Sequence, residues 1–83
     1  MYTTYILWSR KAGRYYTGST EDLGNRVSEH NSGETKSIRY GIPWEVVYSE
    51  EFSTRAEAVK KEMEIKQRGA GRYLRERLGK GRG

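Results

Sequence analysis

Two short β-type runs, each carrying a tyrosine, constrain this chain more than any other feature of it. Residues 3–9 read Thr-Thr-Tyr-Ile-Leu-Trp-Ser and residues 14–18 read Arg-Tyr-Tyr-Thr-Gly, β-branched and aromatic as pleated strands prefer. Ser9 to Gly13 supplies the turn, so Tyr5 and Tyr16 belong to two paired strands. The following segment reads as a helix. Thr20 caps a start at Glu21-Asp22, whose carboxylates oppose the positive end of the helix dipole, and Leu23, Val27 and His30 recur at helical spacing before Asn31-Ser32-Gly33 ends it. Arg26 and His30 then stand one turn apart on one face. Two phenols, a guanidinium and an imidazole converging near a strand end exceed what packing requires, and they suit the handling of a phosphate ester.

The rest of the chain completes a small α+β domain. Gly33 to Pro43 lacks apolar periodicity and reads as a surface loop, whose Lys36, Ser37, Arg39 and Tyr40 could touch a ligand. Trp44 to Phe52 makes a third strand, with Val46, Tyr48 and Glu50 on one face and Val47 and Ser49 on the other. Ser53 or Thr54 caps the next helix, and Glu57 lies at capping-box distance from Thr54. Ala56, Val59 and Met63 give that helix an apolar stripe, with Ala58 and Ile65 as optional members. Glu62 and Lys66 are four residues apart on it, a spacing that by itself means an ion pair of roughly 0.2–0.5 kcal/mol. Gly69 and Gly71 break or bend the chain before a short last helix around Tyr73, Leu74 and Leu78. The expected architecture is a three-stranded antiparallel sheet flanked by helices, in the order β-β-α-β-α-α. Residues 1–78 form the single domain, and residues 79–83 form a flexible, basic, glycine-rich tail.

Composition limits what such a domain can do. With 83 residues of which 34% are hydrophobic, the chain can build one core and no more. The expected core is Tyr2, Ile6, Tyr15, Leu23, Val27, Trp44, Val46, Tyr48, Phe52, Val59 and Ile65. There is no cysteine and only one histidine, which excludes disulfides and a multi-histidine zinc site, so any metal must be held mainly by oxygen. No apolar stretch approaches the roughly 18 residues of a membrane span, and no signal-peptide pattern opens the chain; a cytoplasmic protein without membrane association, monomeric by preference, is expected. The net charge of +5 lies entirely at one end. Residues 1–67 hold ten basic and ten acidic side chains, and residues 68–83 hold six basic ones against Glu76 alone. A cationic end rich in arginine favours a polyanion.

In this order the residues resemble the GIY-YIG nucleases. The first family tripeptide falls on Thr3-Thr4-Tyr5 and the second on Tyr16-Thr17-Gly18. The run Gly18-Ser19-Thr20-Glu21-Asp22-Leu23, Arg26, His30-Asn31 and Gly33 is similar to the stretch that follows in small stand-alone members, as are Pro43 to Tyr48 and Ala58 to Lys66. One tripeptide is a weak signal, whereas the ordered set of tyrosine, tyrosine-x-glycine, arginine, histidine and glutamate is specific. The chain departs from the pattern where Thr3-Thr4 replaces glycine and isoleucine, where Thr17 replaces the second isoleucine, and where Gly69-Ala70-Gly71 loosens a basic segment.

The resemblance implies a DNA endonuclease with one divalent ion, Mg²⁺ or Mn²⁺, held by Glu62, and with Tyr5, Tyr16, Arg26, His30 and Glu62 as catalytic residues. One carboxylate is adequate because Mg²⁺ keeps several waters and takes further ligands from substrate phosphate. By similarity the base is Tyr16, or Tyr5 with Tyr16 relaying; Arg26 binds a non-bridging oxygen, and His30 relays a proton or contacts phosphate. Arg10, Lys11, Lys36, Arg39, Lys66, Arg68, Arg72 and Arg75 are the expected DNA contacts. The alternatives are a binding domain without catalysis, or a catalytic subunit that needs a protein partner. No base-reading helix or separate DNA-binding domain is visible, so backbone and shape readout are expected, and these residues do not separate DNA from RNA.

Overall fold

A computed structural model describes residues 1–81, with side chains described through Arg77. The elements are β1 (Tyr2–Ser9), β2 (Arg14–Thr20), α1 (Leu23–Ser32), a 3₁₀ helix (Lys36–Gly41), β3 (Trp44–Phe52), α2 (Arg55–Arg68) and α3 (Ala70–Gly81). The α+β class and the β-β-α-β-α-α order are those read from the sequence, with the 3₁₀ helix added. The Leu78 side chain and the expected tail fall outside the described side chains, and residues 82–83 lie outside the described residues altogether. No helix among the described residues is long and apolar enough to cross a membrane.

The sheet order is β2-β1-β3, with both neighbours antiparallel to β1. A central strand is covered on both faces, which is why every residue from Thr3 to Leu7 is buried. The sheet therefore separates two apolar clusters. On one face Tyr5 and Leu7 pack with Ile38 and Trp44, flanked by Tyr16, Leu23 and Val27. On the other face Ile6 packs with Ile65 and Tyr73, flanked by Tyr48 and Leu74. Each aliphatic side chain buried this way contributes about 1.5–3 kcal/mol relative to exposure.

The chain turns use the expected residues. Ser9 Oγ accepts the Ala12 N–H at 3.0 Å, and Gly13 takes φ 65°. Gly33, at φ 88°, ends α1 and donates its N–H to the His30 carbonyl. The Thr54–Glu57 capping box forms in full. Thr4, which stands where the family pattern has isoleucine, donates its hydroxyl to the Ala58 carbonyl at 2.6 Å and ties α2 to the central strand.

Several expectations are corrected. The α1 cap is Asp22, not Thr20: Asp22 Oδ1 accepts the Asn25 N–H at 3.0 Å, while Thr20 Oγ1 accepts the Asp22 N–H just before the helix. The expected surface loop contains a 3₁₀ helix whose Ile38 is buried beneath Trp44, because the Trp44 indole donates to the Ile38 carbonyl at 2.9 Å and folds the segment inward. Val46 and Val59, expected in the core, are 42% and 37% exposed. A bulge between the β1 partners of Tyr48 and Val46 shifts the facing of β3, and α2 turns Ala58 and Ile65 inward in place of the Ala56–Val59–Met63 stripe. Tyr15 is also exposed; it lies against Trp8 across the hairpin with ring centroids 4.6 Å apart.

Candidate active site at the β2 edge

β2 has a hydrogen-bonded neighbour on one side only, and the site residues gather around it from both faces. On the α1 face, β1 supplies Tyr5 and β2 supplies Tyr16, whose ring centroids are 6.4 Å apart. α1 adds His30, 5.3 Å from Tyr16 and edge-on to it. The imidazole is 1% exposed, and both its nitrogens are engaged. Nε2 pairs with the Tyr5 hydroxyl at 3.2 Å, and Nδ1 pairs with Thr35 Oγ1 at 2.8 Å. Asn31, next in sequence, fixes this end of α1 to β3 by accepting the Trp44 N–H at 2.7 Å and donating to the Trp44 carbonyl at 3.0 Å.

Burial governs the acid–base character of this cluster. The Tyr5 phenol is pushed far above the ordinary tyrosine range, chiefly by burial and next by Tyr16, with Arg26 acting in the opposite direction. His30 is held below its ordinary value by burial first and the Arg26 guanidinium second, while Glu29 opposes the shift. Near neutral pH the cluster is thus an uncharged phenol hydrogen-bonded to an uncharged imidazole.

Glu62 comes from the other face. It shares the inward side of α2 with Ala58 and Ile65, at helical spacings of four and three, and its side chain is 18% exposed. Oε1 accepts the Ser19 hydroxyl at 2.8 Å, and Oε2 pairs with Lys66 Nζ at 2.8 Å. Ser19 therefore attaches the carboxylate to β2 immediately after Gly18. Ser19 also lines a cleft of about 340 Å³ together with Asn25, Arg26, Glu29 and Arg55. This cleft joins Arg26 on α1 to the strand that carries Ser19.

Among the described residues no group of three His, Cys, Asp or Glu could hold a metal by protein alone. A half-enclosed carboxylate with a hydroxyl beside it is instead a hard-oxygen donor of the kind that takes Mg²⁺ with its waters, so Glu62 fits a single-carboxylate site.

Of the expected set, Tyr5, Tyr16 and His30 touch one another. Glu62 joins them through β2, while Arg26 lies in the cleft, paired with Glu29 at 3.5 Å. The expected DNA contacts do not form one group. Arg10 and Lys11 are exposed on the hairpin turn, and Lys36 and Arg39 are exposed on the 3₁₀ helix, where Arg39 Nε also donates to the Gly33 carbonyl at 2.6 Å. Lys66 is the partner of Glu62. Arg68 and Arg72 both pair with Glu76, at 2.7 and 3.3 Å, which leaves Arg75 exposed and without an ion pair among the described residues. Ser19 and Thr35 were not singled out as site residues from the sequence. Ser19 had one legible signal, its position after the tyrosine-x-glycine run and on the opposite face; Thr35 had none.

An edge strand is thus flanked by a phenol–imidazole cluster on one face and a helix carboxylate on the other. Residues 1–78 match the GIY-YIG catalytic domain, and the chain belongs to that family. It is similar to a UPF0213 protein of Staphylococcus saprophyticus, 42% identical over 57 residues, which cover 68% of this chain and 70% of that one. A UPF0213 protein of Halobacterium salinarum is 43% identical over 56 residues, covering 66% and 73%. One from Staphylococcus epidermidis is 44% identical over 55 residues, covering 65% and 67%. No solved structure matches the chain.

Proposed function

We propose that the chain is a divalent-metal-dependent endonuclease that hydrolyses DNA phosphodiester bonds and reads backbone and shape more than base sequence. The observation that carries this reading is the Ser19 bridge, which ties a carboxylate to the edge strand across β2 from the tyrosine–histidine cluster. A domain that only binds nucleic acid gains nothing from such a carboxylate, because it repels phosphate unless a cation lies between them.

Glu62 would hold the ion, Mg²⁺ or Mn²⁺, which when bound supplies Lewis-acid polarisation of the scissile phosphate and stabilisation of the leaving oxygen. Lys66 is 56% exposed, so it can leave the carboxylate for a substrate phosphate at little cost. Among the described residues Arg26 is likewise held only by an exposed pair with Glu29. A non-bridging phosphate oxygen offers it a stronger, charge-assisted contact. Tyr16 is the half-buried phenol of the two and, as the phenolate, receives the proton of the attacking water. Tyr5 is closed to solvent and raised in pKa, which suits it to orienting His30. His30, neutral and edge-on to Tyr16, is the second proton acceptor of the cluster.

The test is a cleavage panel of linear, flap, branched and single-stranded DNA with the purified chain in Mg²⁺, Mn²⁺ or EDTA. Internal cutting of at least one substrate with metal and of none with EDTA is expected. Intact substrates throughout the panel overturn the reading.

A further inference from the structure

The 3₁₀ helix carries an aromatic that neither core nor catalytic cluster uses. Tyr40 is 49% exposed, and the Arg14 guanidinium lies 5.9 Å from the centre of its ring. The ring is held in place from below. Trp44 meets it edge-on with centroids 6.1 Å apart, and a Cβ at the adjacent Gly41 would run into the Trp44 ring at 2.3 Å, so only glycine lets that ring lie against the backbone beside Tyr40. Trp44 in turn lies 6.3 Å from Tyr16. Two ring-to-ring steps thus lead from an exposed aromatic to the proposed catalytic phenol. The surroundings are cationic: Arg10, Lys11, Arg14 and Lys36 are exposed and make no ion pair among the described residues.

We propose that Tyr40 and Arg14 form a stacking site for an unpaired nucleobase, which delivers one nucleic-acid strand to Tyr16. The inference rests on the nuclease reading and adds the substrate class, a strand with at least one base out of its duplex. A paired base has both faces covered by its neighbours, whereas an unpaired base offers a π face to any exposed ring, whatever its sequence. Arginine beside the ring serves the same ligand twice, since it stacks on aromatic planes and pairs with phosphate. The adjacent free cations match the backbone of a strand lying along the hairpin turn. Exposed Glu34 and Glu45 are the acidic residues in the flanking segments, and neither is paired with these cations.

Binding is measured in EDTA by fluorescence anisotropy on the full chain, with three probes: single-stranded oligothymidylate, an abasic strand of equal length and charge, and a blunt duplex. Wild-type protein should prefer oligothymidylate to the abasic strand. Tyr40→Leu should weaken oligothymidylate binding roughly five-fold or more, with the abasic strand, the duplex and the salt dependence unchanged; Tyr40→Phe should bind as wild type. Arg14→Gln, altered on the solvent side, should lose more affinity for oligothymidylate than for the duplex. The proposal is overturned if Tyr40→Leu binds oligothymidylate normally, or if either variant loses equally on all probes. Failure of the wild type on every probe overturns the nuclease reading as well, whereas normal duplex binding with unaltered variants overturns the stacking site alone.

Discussion

Gly18 lies directly across the β1–β2 ladder from Tyr5, and a Cβ on it would sit 2.6 Å from the Tyr5 hydroxyl oxygen and 2.8 Å from Cζ. The glycine exists to seat the phenol, and the seated phenol meets His30. The position of Gly18 is thus accounted for by close packing against Tyr5.

Gly18→Ala should therefore displace the Tyr5 ring, which is 2% exposed and has nowhere to go. Overpacking of this kind costs about 1–3 kcal/mol. Denaturant unfolding should show that loss, together with a cleavage defect larger than the lost stability explains. An alanine variant with wild-type stability and activity contradicts the seating.

His30 should make stability depend on pH. Its folded pKa lies below the unfolded value, so its contribution is full above about pH 6.5, where both states are neutral. As pH falls from there toward the depressed value, the unfolded chain binds the proton first and stability is lost. Unfolding free energy of the wild type should decline over that window, and that of His30→Gln should stay flatter. Equal slopes contradict a buried neutral imidazole.

The hairpin, α1, β3 and α2 are legible in the sequence because each has a local signature: β-branched runs, a glycine at positive φ after α1, and a capping box before α2. The proposed catalytic set is legible as an ordered pattern. What is hidden depends on tertiary rotation. Nothing local to α2 says that Ala58 and Ile65, not Val59 and Met63, face the sheet; that rotation is seen only in tertiary contacts, with Thr4 of β1 bonded to the Ala58 carbonyl and Ile65 packed on Ile6. Ile38 is hidden for a related reason, since one buried residue in a 3₁₀ turn has no periodicity to read. Thr35 is a site residue only because the chain after Gly33 folds back onto His30.

The arginines of α3 should divide into two kinds. Arg75 is exposed without an ion pair among the described residues, so Arg75→Gln should leave stability unchanged and, if it contacts DNA, lower the slope of log affinity against log salt by about 0.9. Arg77 lies 5.1 Å from the centre of the Tyr48 ring and donates to the Tyr73 hydroxyl at 3.2 Å. Arg77→Gln should lower stability by about 0.5–2 kcal/mol. Thermal unfolding and salt titrations of both variants check the division, and a stability loss in Arg75→Gln alone would reverse it.

The central claim is that the Glu62 carboxylate, tied to β2 through Ser19, serves a cation and not the fold or the DNA directly. The direct measurement is Glu62→Gln, assayed for cleavage in Mg²⁺ and, in parallel, for DNA binding in EDTA and for thermal unfolding. Glutamine keeps an acceptor for Ser19 but removes the charge that a divalent ion requires. The account predicts cleavage lowered by about a hundred-fold or more, with affinity equal to or slightly above wild type and a folded domain. A Glu62→Gln variant that cuts DNA at the wild-type rate contradicts it.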